Sequence, residues 1–312
     1  MDQLFLDRLY KIVGNSYDSV LASFSVDKLP SFRINTLVVS ESEGIQRLSD
    51  LDFELEKIVG LDNAYLLKNK SKREFTDLQE YINGWYYLQS LSSMVPVSCI
   101  AQEITGKDRI IALDMCAAPG SKTSQLAGLL SNQGHIDAHD LSRQRIYQMK
   151  AVLAQLHVRN VDIHQSDASG IWRKYGPVFD IVLLDSVCSG EGRFRINDPK
   201  TFADWDLKKI KKMSEIQKRL MFSAIMCLKP GGVLIYSTCT IAPEENEAII
   251  DFALSKFEGA IELEELPLHS DSFISGLTEW EGQVFDERLR KSVRILGTET
   301  WDGFYVCKIR RN

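Results

Sequence analysis

Cys188 and Cys239 are the two thiols of this 312-residue chain whose neighbours could make them reactive. Cys188 lies in Ile181-Val-Leu-Leu-Asp-Ser-Val-Cys-Ser-Gly-Glu-Gly-Arg-Phe-Arg195, where four apolar residues run into a carboxylate, a thiol and two glycines. That order predicts a buried strand ending in a loop that presents Asp185 and Cys188. Cys239 follows a second apolar run in Gly232-Val-Leu-Ile-Tyr-Ser-Thr-Cys-Thr-Ile-Ala-Pro-Glu-Glu-Asn-Glu247. Pro243 suits a first helical turn there, and Glu244, Glu245 and Glu247 suit its positive end. Unpaired amides at such a position favour the thiolate, with the three acids partly offsetting them. A cysteine met alone is read as a small buried hydrophobe. With no Cys-x-x-Cys pair and no zinc-type His spacing, neither a disulfide framework nor a metal site is expected.

A third loop, Leu113-Asp-Met-Cys-Ala-Ala-Pro-Gly-Ser-Lys-Thr123, leaves a strand and enters a helix near Lys122. Ala117, Ala118 and Gly120 let a ligand approach the backbone, and the helix start offers unpaired amides. The spacing is neither that of a phosphate-binding P-loop nor that of a dinucleotide fingerprint. Asp140, roughly twenty residues after Gly120, ends the next predicted strand, where an acid is placed to bind ribose hydroxyls. Asp167 ends the third strand in the same way. Carboxylates at the ends of three strands (Asp140, Asp167, Asp185) disfavour a polyphosphate and suit a ligand with ribose, an adenine amine and a cationic centre. S-adenosylmethionine has that composition. Each aspartate alone would read as a turn former.

These loops need a scaffold of parallel strands, since ligands of an open α/β sheet bind outside the carboxyl ends of its strands. Strands are predicted over Arg109 to Leu113, His135 to His139, Val161 to Gln165, Phe179 to Leu184 and Gly232 to Tyr236, alternating with helices. The clearest helices are Arg143 to Leu156 and Lys208 to Leu228, the latter with Ile210, Met213, Ile216, Leu220, Ala224 and Leu228 on one face. The closing run Gly303 to Ile309 must join the same sheet late. Upstream, helices over Asp2 to Val13, Ser16 to Phe24 and Glu41 to Leu51, with a strand over Ser31 to Val39, form a small α+β module ending near residue 80. The division expected is therefore residues 1–80 and 81–312.

Composition is that of a soluble globular protein, 44% hydrophobic and 26% charged, with no apolar run of membrane-spanning length and acids where a secretory signal carries bases. A cytoplasmic monomer is expected. The net charge of −6 excludes polyanion binding by the surface as a whole but leaves local patches, such as Lys68 to Arg73, Lys208 to Lys212 and Arg288 to Arg294, each of which otherwise reads as a solvated face.

Two thiols and an aspartate beside a methyl donor fit one reaction in particular. Carbon 5 of a pyrimidine is a poor nucleophile, and a thiolate added at carbon 6 turns the ring into an enamine-like species able to attack a sulfonium methyl. The carbon 5 proton must then leave so that the thiol can be expelled, which gives a second group work. An acid facing ring nitrogen 3 stabilises the adduct and selects cytosine.

The chain resembles the RNA cytosine-5 methyltransferases of the Sun, or RsmF-like, family. The likeness rests on Phe32-Arg-Ile-Asn-Thr-Leu37, Tyr87-Leu-Gln with Ser92-Ser-Met, Cys116-Ala-Ala-Pro-Gly-Ser-Lys122, Asp185 with Cys188-Ser-Gly-Glu-Gly192, Asp198-Pro, Tyr236-Ser-Thr-Cys-Thr240 with Pro243-Glu-Glu-Asn-Glu247, and Asp302-Gly-Phe-Tyr305. It implies a Rossmann-like, seven-stranded class I methyltransferase domain with one late antiparallel strand, preceded by the small α+β domain. It also implies that Cys239 attacks carbon 6, Cys188 assists product release, and Asp185 contacts the base and the cofactor region. Cys116, Ala117, Ala118, Pro119, Gly120, Ser121, Lys122, Asp140 and Asp167 would bind S-adenosylmethionine. The N-terminal module would help hold ribosomal or transfer RNA, with Arg33 and Asn35 as candidate contacts.

The family places Pro before the first cysteine, whereas Val187 stands here. Without a ring to fix φ, the Cys188 loop is expected to be freer or set at another angle. The chain is also expected to end just after the catalytic domain, without the C-terminal extension of longer members. Two other readings use the same residues. In DNA cytosine methyltransferases the attacking cysteine follows a Pro, so Cys188 would be the nucleophile, a reading that Val187 disfavours. A non-catalytic RNA-binding assembly factor on the same fold is the other.

Overall fold

The computed structural model describes residues 1–107 and 109–312. A four-stranded antiparallel sheet is built from β1 (Ser31–Ile34), β2 (Leu55–Lys57), β3 (Ala64–Leu67) and β4 (Tyr86–Leu88), in the order β2-β3-β1-β4. β1 is shorter than its β-branched sequence predicts. Beyond Ile34 the Asn35 carbonyl accepts from the Val38 and Val39 amides and its side chain from the Leu37 amide, which turns the chain before Val38 can extend the strand. Because β4 completes this sheet, the small domain runs past residue 80.

The central sheet adds β5 (Ile111–Asp114), β6 (His135–Asp140), β7 (Val161–Gln165), β8 (Phe179–Asp185), β9 (Leu228–Thr238), β10 (Ile261–Glu264) and β11 (Phe273–Ser275). A two-stranded hairpin, β12 (Glu279–Trp280) with β13 (Gln283–Val284), stands apart, and β14 (Val293–Ile295) and β15 (Phe304–Arg311) close the chain. The order is β11-β14-β15-β9-β8-β5-β6-β7, with β10 also pairing β15. Six of these strands, β5 to β9 and β15, are those predicted from the sequence, and β14, which was not predicted, makes up the seven of the expected domain. β15 lies antiparallel to β9, with Val306 opposite Ser237 and Cys307 opposite Tyr236.

β5, β8 and β9 read as continuous apolar runs because both faces of the sheet are covered. Side chains alternate between faces. Val182, Leu184, Leu234 and Tyr236 pack with the Leu207–Cys227 and Glu247–Lys256 helices, while Ile181, Leu183, Val233 and Ile235 pack with the Leu91–Ser98 and Ser121–Leu129 helices. The Gln3–Val13 helix joins the first of these cores, where the Phe5 ring lies 5.2 Å from Phe194 and 5.4 Å from Trp205. The chain's first helices thus brace the larger domain, and only the following segment forms the small sheet.

The chain passes from β5 to β6 on one side of β5 and returns to place β8 on its other side. This is the point at which an open parallel sheet leaves a crevice. Asp114, Asp185 and Cys239 sit at or just past the carboxyl ends of β5, β8 and β9.

Candidate active site

A cleft of about 790 Å³ opens at that switch point. Of the residues singled out in the sequence, Cys116, Ala117, Ala118, Pro119, Ser121, Lys122, Asp185, Cys188 and Cys239 line it. Cys239 extends directly from β9, and Cys188 projects from the loop after β8. Their sulfurs are 3.3 Å apart. The two thiols share a proton unequally. The Cys188 S–H facing the Cys239 sulfur holds the Cys239 pKa below that of an ordinary thiol. Burial and Asp185 oppose this, and Arg193 and Lys122 support it. The same contact with Cys239, then burial, Glu245 and Asp185, raises Cys188 well above the ordinary thiol range. The sequence assigned the activation of Cys239 to helix amides; here the second thiol is the larger cause.

Asp185 is fixed on both oxygens. Lys122 Nζ donates to one at 2.7 Å and Ser237 Oγ to the other at 2.7 Å. Lys122 donates as well to Ser93 Oγ at 2.8 Å, so the ammonium joins the Leu91–Ser98 helix, the Cys116 to Lys122 loop and the β8 end. Parallel register sets this geometry, since Asp185 of β8 lies beside Ser237 of β9.

The loop around Cys188 is tied down residue by residue. The Ser186 amide donates to Ser237 O at 2.8 Å, and Gln217 Nε2 donates to Val187 O at 2.8 Å. The Ser189 amide donates to Glu245 Oε2 at 3.0 Å, and the Ser189 hydroxyl lies 2.7 Å from that of Thr240. The Gly192 amide donates to Cys239 O at 3.0 Å. In place of a proline ring, these backbone and side-chain hydrogen bonds restrain the loop that Val187 was expected to leave freer or at another angle. Gly192 has no alternative at its position, because a Cβ there would meet Gly303 O at 1.9 Å.

The acidic run after Cys239 serves the same bracing. Glu244 accepts from Arg8 at 2.8 Å, Glu245 holds the Cys188 loop, and Glu247 accepts from Arg294 Nε at 2.6 Å. Burial raises Glu245 to a pKa of about 8.

Gly120, at φ 102°, turns β5's loop into the Ser121–Leu129 helix. Asp114, unremarked in the sequence beside its apolar run, lines the cleft with a carboxyl that burial raises to about 7. One of its oxygens accepts from Thr123 at 2.8 Å; the other, Oδ1, is buried without a partner, as is the Ser186 hydroxyl on the same lining. Orphaned polar atoms beside small residues and helix amides fit a polar, neutral or cationic ligand such as S-adenosylmethionine.

Asp140 and Asp167 are placed differently. Asp140 is buried, accepts from the Ala118 and Ser142 amides at 3.2 and 2.9 Å and pairs with Arg145 at 3.2 Å, so Arg145, not Asp140, reaches the lining. Asp167 is exposed, caps the turn at Ala168 by accepting from the Ser169 amide at 2.9 Å, and lies outside the lining. Arg33 and Asn35, expected to touch RNA, face the protein instead. Arg33 donates to Gln89 at 3.0 Å and Ser124 at 2.6 Å, and Asn35 to Gly84 O at 2.8 Å and Leu156 O at 2.9 Å. Both join the small domain to the catalytic one. The cations that do line the cleft are Lys28, Lys72, Arg193 and Arg195, beside Lys122 and Arg145.

Residues 101–310 match the profile of the 16S rRNA methyltransferase RsmB/F family, and residues 1–91 that of the N-terminal domain of 16S rRNA methyltransferase RsmF. A tRNA (cytosine(49)-C(5))-methyltransferase of Pyrococcus abyssi is 38% identical over 90% of this chain and 88% of its own length. Ribosomal RNA small subunit methyltransferase F of Aeromonas hydrophila is 33% identical over 95% of this chain, which spans 61% of that relative's length. A solved structure of a methyltransferase homolog protein from Pyrococcus horikoshii superposes with a TM-score of 0.85 at 30% identity, covering 100% of this chain and 96% of its own.

Proposed function

The chain belongs to the RsmB/F family of 16S rRNA methyltransferases, and we propose that it methylates carbon 5 of cytosine in ribosomal or transfer RNA through a covalent adduct with Cys239. The observation that carries this reading is the pair of thiols 3.3 Å apart in one cleft, one favoured as thiolate and the other as thiol. Support for the substrate comes from relatives named for tRNA and rRNA cytosine-5 methylation.

When bound against the Cys116 to Lys122 loop, Asp114 and Ser186, S-adenosylmethionine supplies an electrophilic methyl group. Asp140 and Asp167 belong to the same proposed set, from positions behind and outside the lining. Cys239 Sγ adds to carbon 6, and the electron pair of the 5,6 double bond makes carbon 5 nucleophilic. Asp185, held by Lys122 and Ser237, faces the base and stabilises the altered ring. Cys188 then assists loss of the carbon 5 proton and expulsion of Cys239. Arg193, Arg195, Lys28 and Lys72 receive phosphates of a strand whose target base is unstacked into the cleft. Among the described residues no helix is long and apolar enough to cross a membrane, and a cytoplasmic monomer is the form proposed.

Bisulfite sequencing of total RNA from cells with and without the protein tests the reading. At least one cytosine is protected only when the protein is present; the absence of any such position overturns it.

A further inference from the structure

A second convergence of donor atoms lies outside the cleft lining. His135, Asp137 and His139 alternate along β6 and so share one face, opposite Ile136 and Ala138, which pack into the core. β7 runs beside it in parallel register, with Asp162 next to Asp137 and His164 next to His139. His164 Nε2 is 2.8 Å from Asp137 Oδ1. The Tyr175 hydroxyl donates to that oxygen at 3.2 Å and lies 3.2 Å from His139 Nε2. The two imidazoles are stacked with centroids 4.6 Å apart, and donor atoms of Asp137, His139 and His164 all fall within 4.8 Å of one another. His135 Nε2 flanks the group, 3.4 Å from Asp137 Oδ2 and 3.7 Å from Asp162 Oδ2, and Lys174 Nζ is 3.5 Å from the Tyr175 hydroxyl.

The 2.8 Å between His164 and Asp137 is close to the separation of ligands sharing a small ion, since bonds of about 2.0–2.1 Å at tetrahedral angles place neighbouring donors about 3.3 Å apart, and the third donor, on His139, lies within 4.8 Å of both. A second observation concerns His139. Its other ring nitrogen, Nδ1, lies 2.6 Å from Ser166 Oγ. With Nδ1–H donating to Ser166, the Nε2 lone pair turns into the cluster, which is the outer support that metal-bound imidazoles have. Registered neighbouring strands also hold the three donors with little freedom to relax.

We infer that Asp137, His139 and His164 bind a divalent first-row transition ion, with Tyr175 or water completing its shell. Two imidazoles and one carboxylate are a borderline donor set, which suits zinc(II) over magnesium or calcium. The ion ties β7, at the edge of the sheet, to β6 and to the Trp172–Tyr175 turn, and is independent of the chemistry in the cleft. The absence of a metal expected from cysteine spacing does not bear on this site, which contains no sulfur.

Cobalt(II) titrated into the full chain, followed by zinc(II), tests the inference. One equivalent of cobalt binds with visible d–d absorption and no near-ultraviolet thiolate charge-transfer band, and zinc displaces it and raises Tm. His164→Gln and Asp137→Asn each weaken binding by more than about 100-fold, and Ser166→Ala, which leaves all three ligands in place, by about tenfold. Failure of cobalt to bind saturably in the micromolar range overturns the site. So does a thiolate charge-transfer band, which places the ion on Cys188 and Cys239, or wild-type affinity in His164→Gln or Ser166→Ala. Circular dichroism verifies folding of each variant; if a ligand variant fails to fold, the wild-type spectrum and Ser166→Ala decide.

Discussion

Cys188 and Cys239 stand in the same cleft, both partly buried and both near Asp185, yet their proton affinities are driven in opposite directions. Burial raises both, so burial does not distinguish them. What separates them is the direction of one hydrogen bond and the company each keeps: Glu245 for Cys188, Arg193 and Lys122 for Cys239. The supports differ too. Cys239 extends from a strand paired on both sides, with Ser237 next to Asp185 of β8 and opposite Val306 of β15. Cys188 rests on a loop held by side chains from the Gln217 helix, the Glu245 turn and Thr240. The proposed nucleophile is built on the sheet and the proposed release group on a braced loop, and the two supports have different tolerances to change.

The largest break in this comparison is Cys239→Ala. Methyl transfer to RNA falls by about 10⁴-fold or more, as for loss of an attacking group that acts as part of a unit. Circular dichroism and Tm stay near wild type because the change is small and lies at a strand end.

Cys188→Ala sharpens the comparison by removing the donor that favours the Cys239 thiolate. In the wild type, alkylation of Cys239 persists as pH falls below the ordinary thiol range. In the variant, the midpoint of the alkylation-rate profile moves up by about one unit or more, the tenfold loss of thiolate expected from one charge-assisted hydrogen bond. An unmoved midpoint assigns the activation to Arg193 and Lys122 instead.

Glu245→Gln tests the brace. A carboxyl whose folded pKa is about 8 keeps its proton in the native state while the unfolded chain releases it above about 4.5, so this group's contribution to stability falls as pH rises between those values and is constant above. The stability of Glu245→Gln relative to wild type therefore rises from pH 5 to pH 8, by at most about 1.4 kcal/mol per unit. Urea melts at several pH values measure it, and a flat difference contradicts the assignment.

The smallest effect is expected of Val187→Pro. The Val187 amide opposes the rise that burial imposes on the Cys116 thiol, and proline removes it. Because Ser186, Ser189 and the Val187 carbonyl already fix the loop, turnover changes by less than about tenfold and stability by about 1 kcal/mol. A large gain in turnover would show that the side-chain ties are an inadequate substitute for the ring.

The strands that carry the site were legible because parallel strands buried on both faces leave continuous apolar runs, and β6 and β8 begin where predicted and end within a residue of it. The late antiparallel strand was legible from its alternation and position. β2, β3, β4 and β10 to β14 were not, since runs of two to four residues carry too little periodicity. Cys116 to Lys122 was singled out by its small residues, and most of it lines the cleft. Asp114 and Ser186 escaped notice because burial and a missing partner, not residue type, mark them, and neither shows in one dimension. Arg33 and Asn35 fail in the opposite sense: polar residues in a distinctive run look like ligand contacts, but a strand sandwiched between two domains turns them inward. The His135-x-Asp137-x-His139 alternation went unremarked in the sequence, and its partner His164 arrives only through the pairing of β6 with β7.

The division of labour between the thiols is tested most directly by incubating Cys188→Ala with RNA and S-adenosylmethionine and resolving the products under denaturing conditions. The account predicts a stable protein–RNA adduct carrying a methylated cytosine, absent when Cys239 is also replaced by alanine. An adduct that survives in the double variant, or one that forms in Cys239→Ala alone, would contradict it.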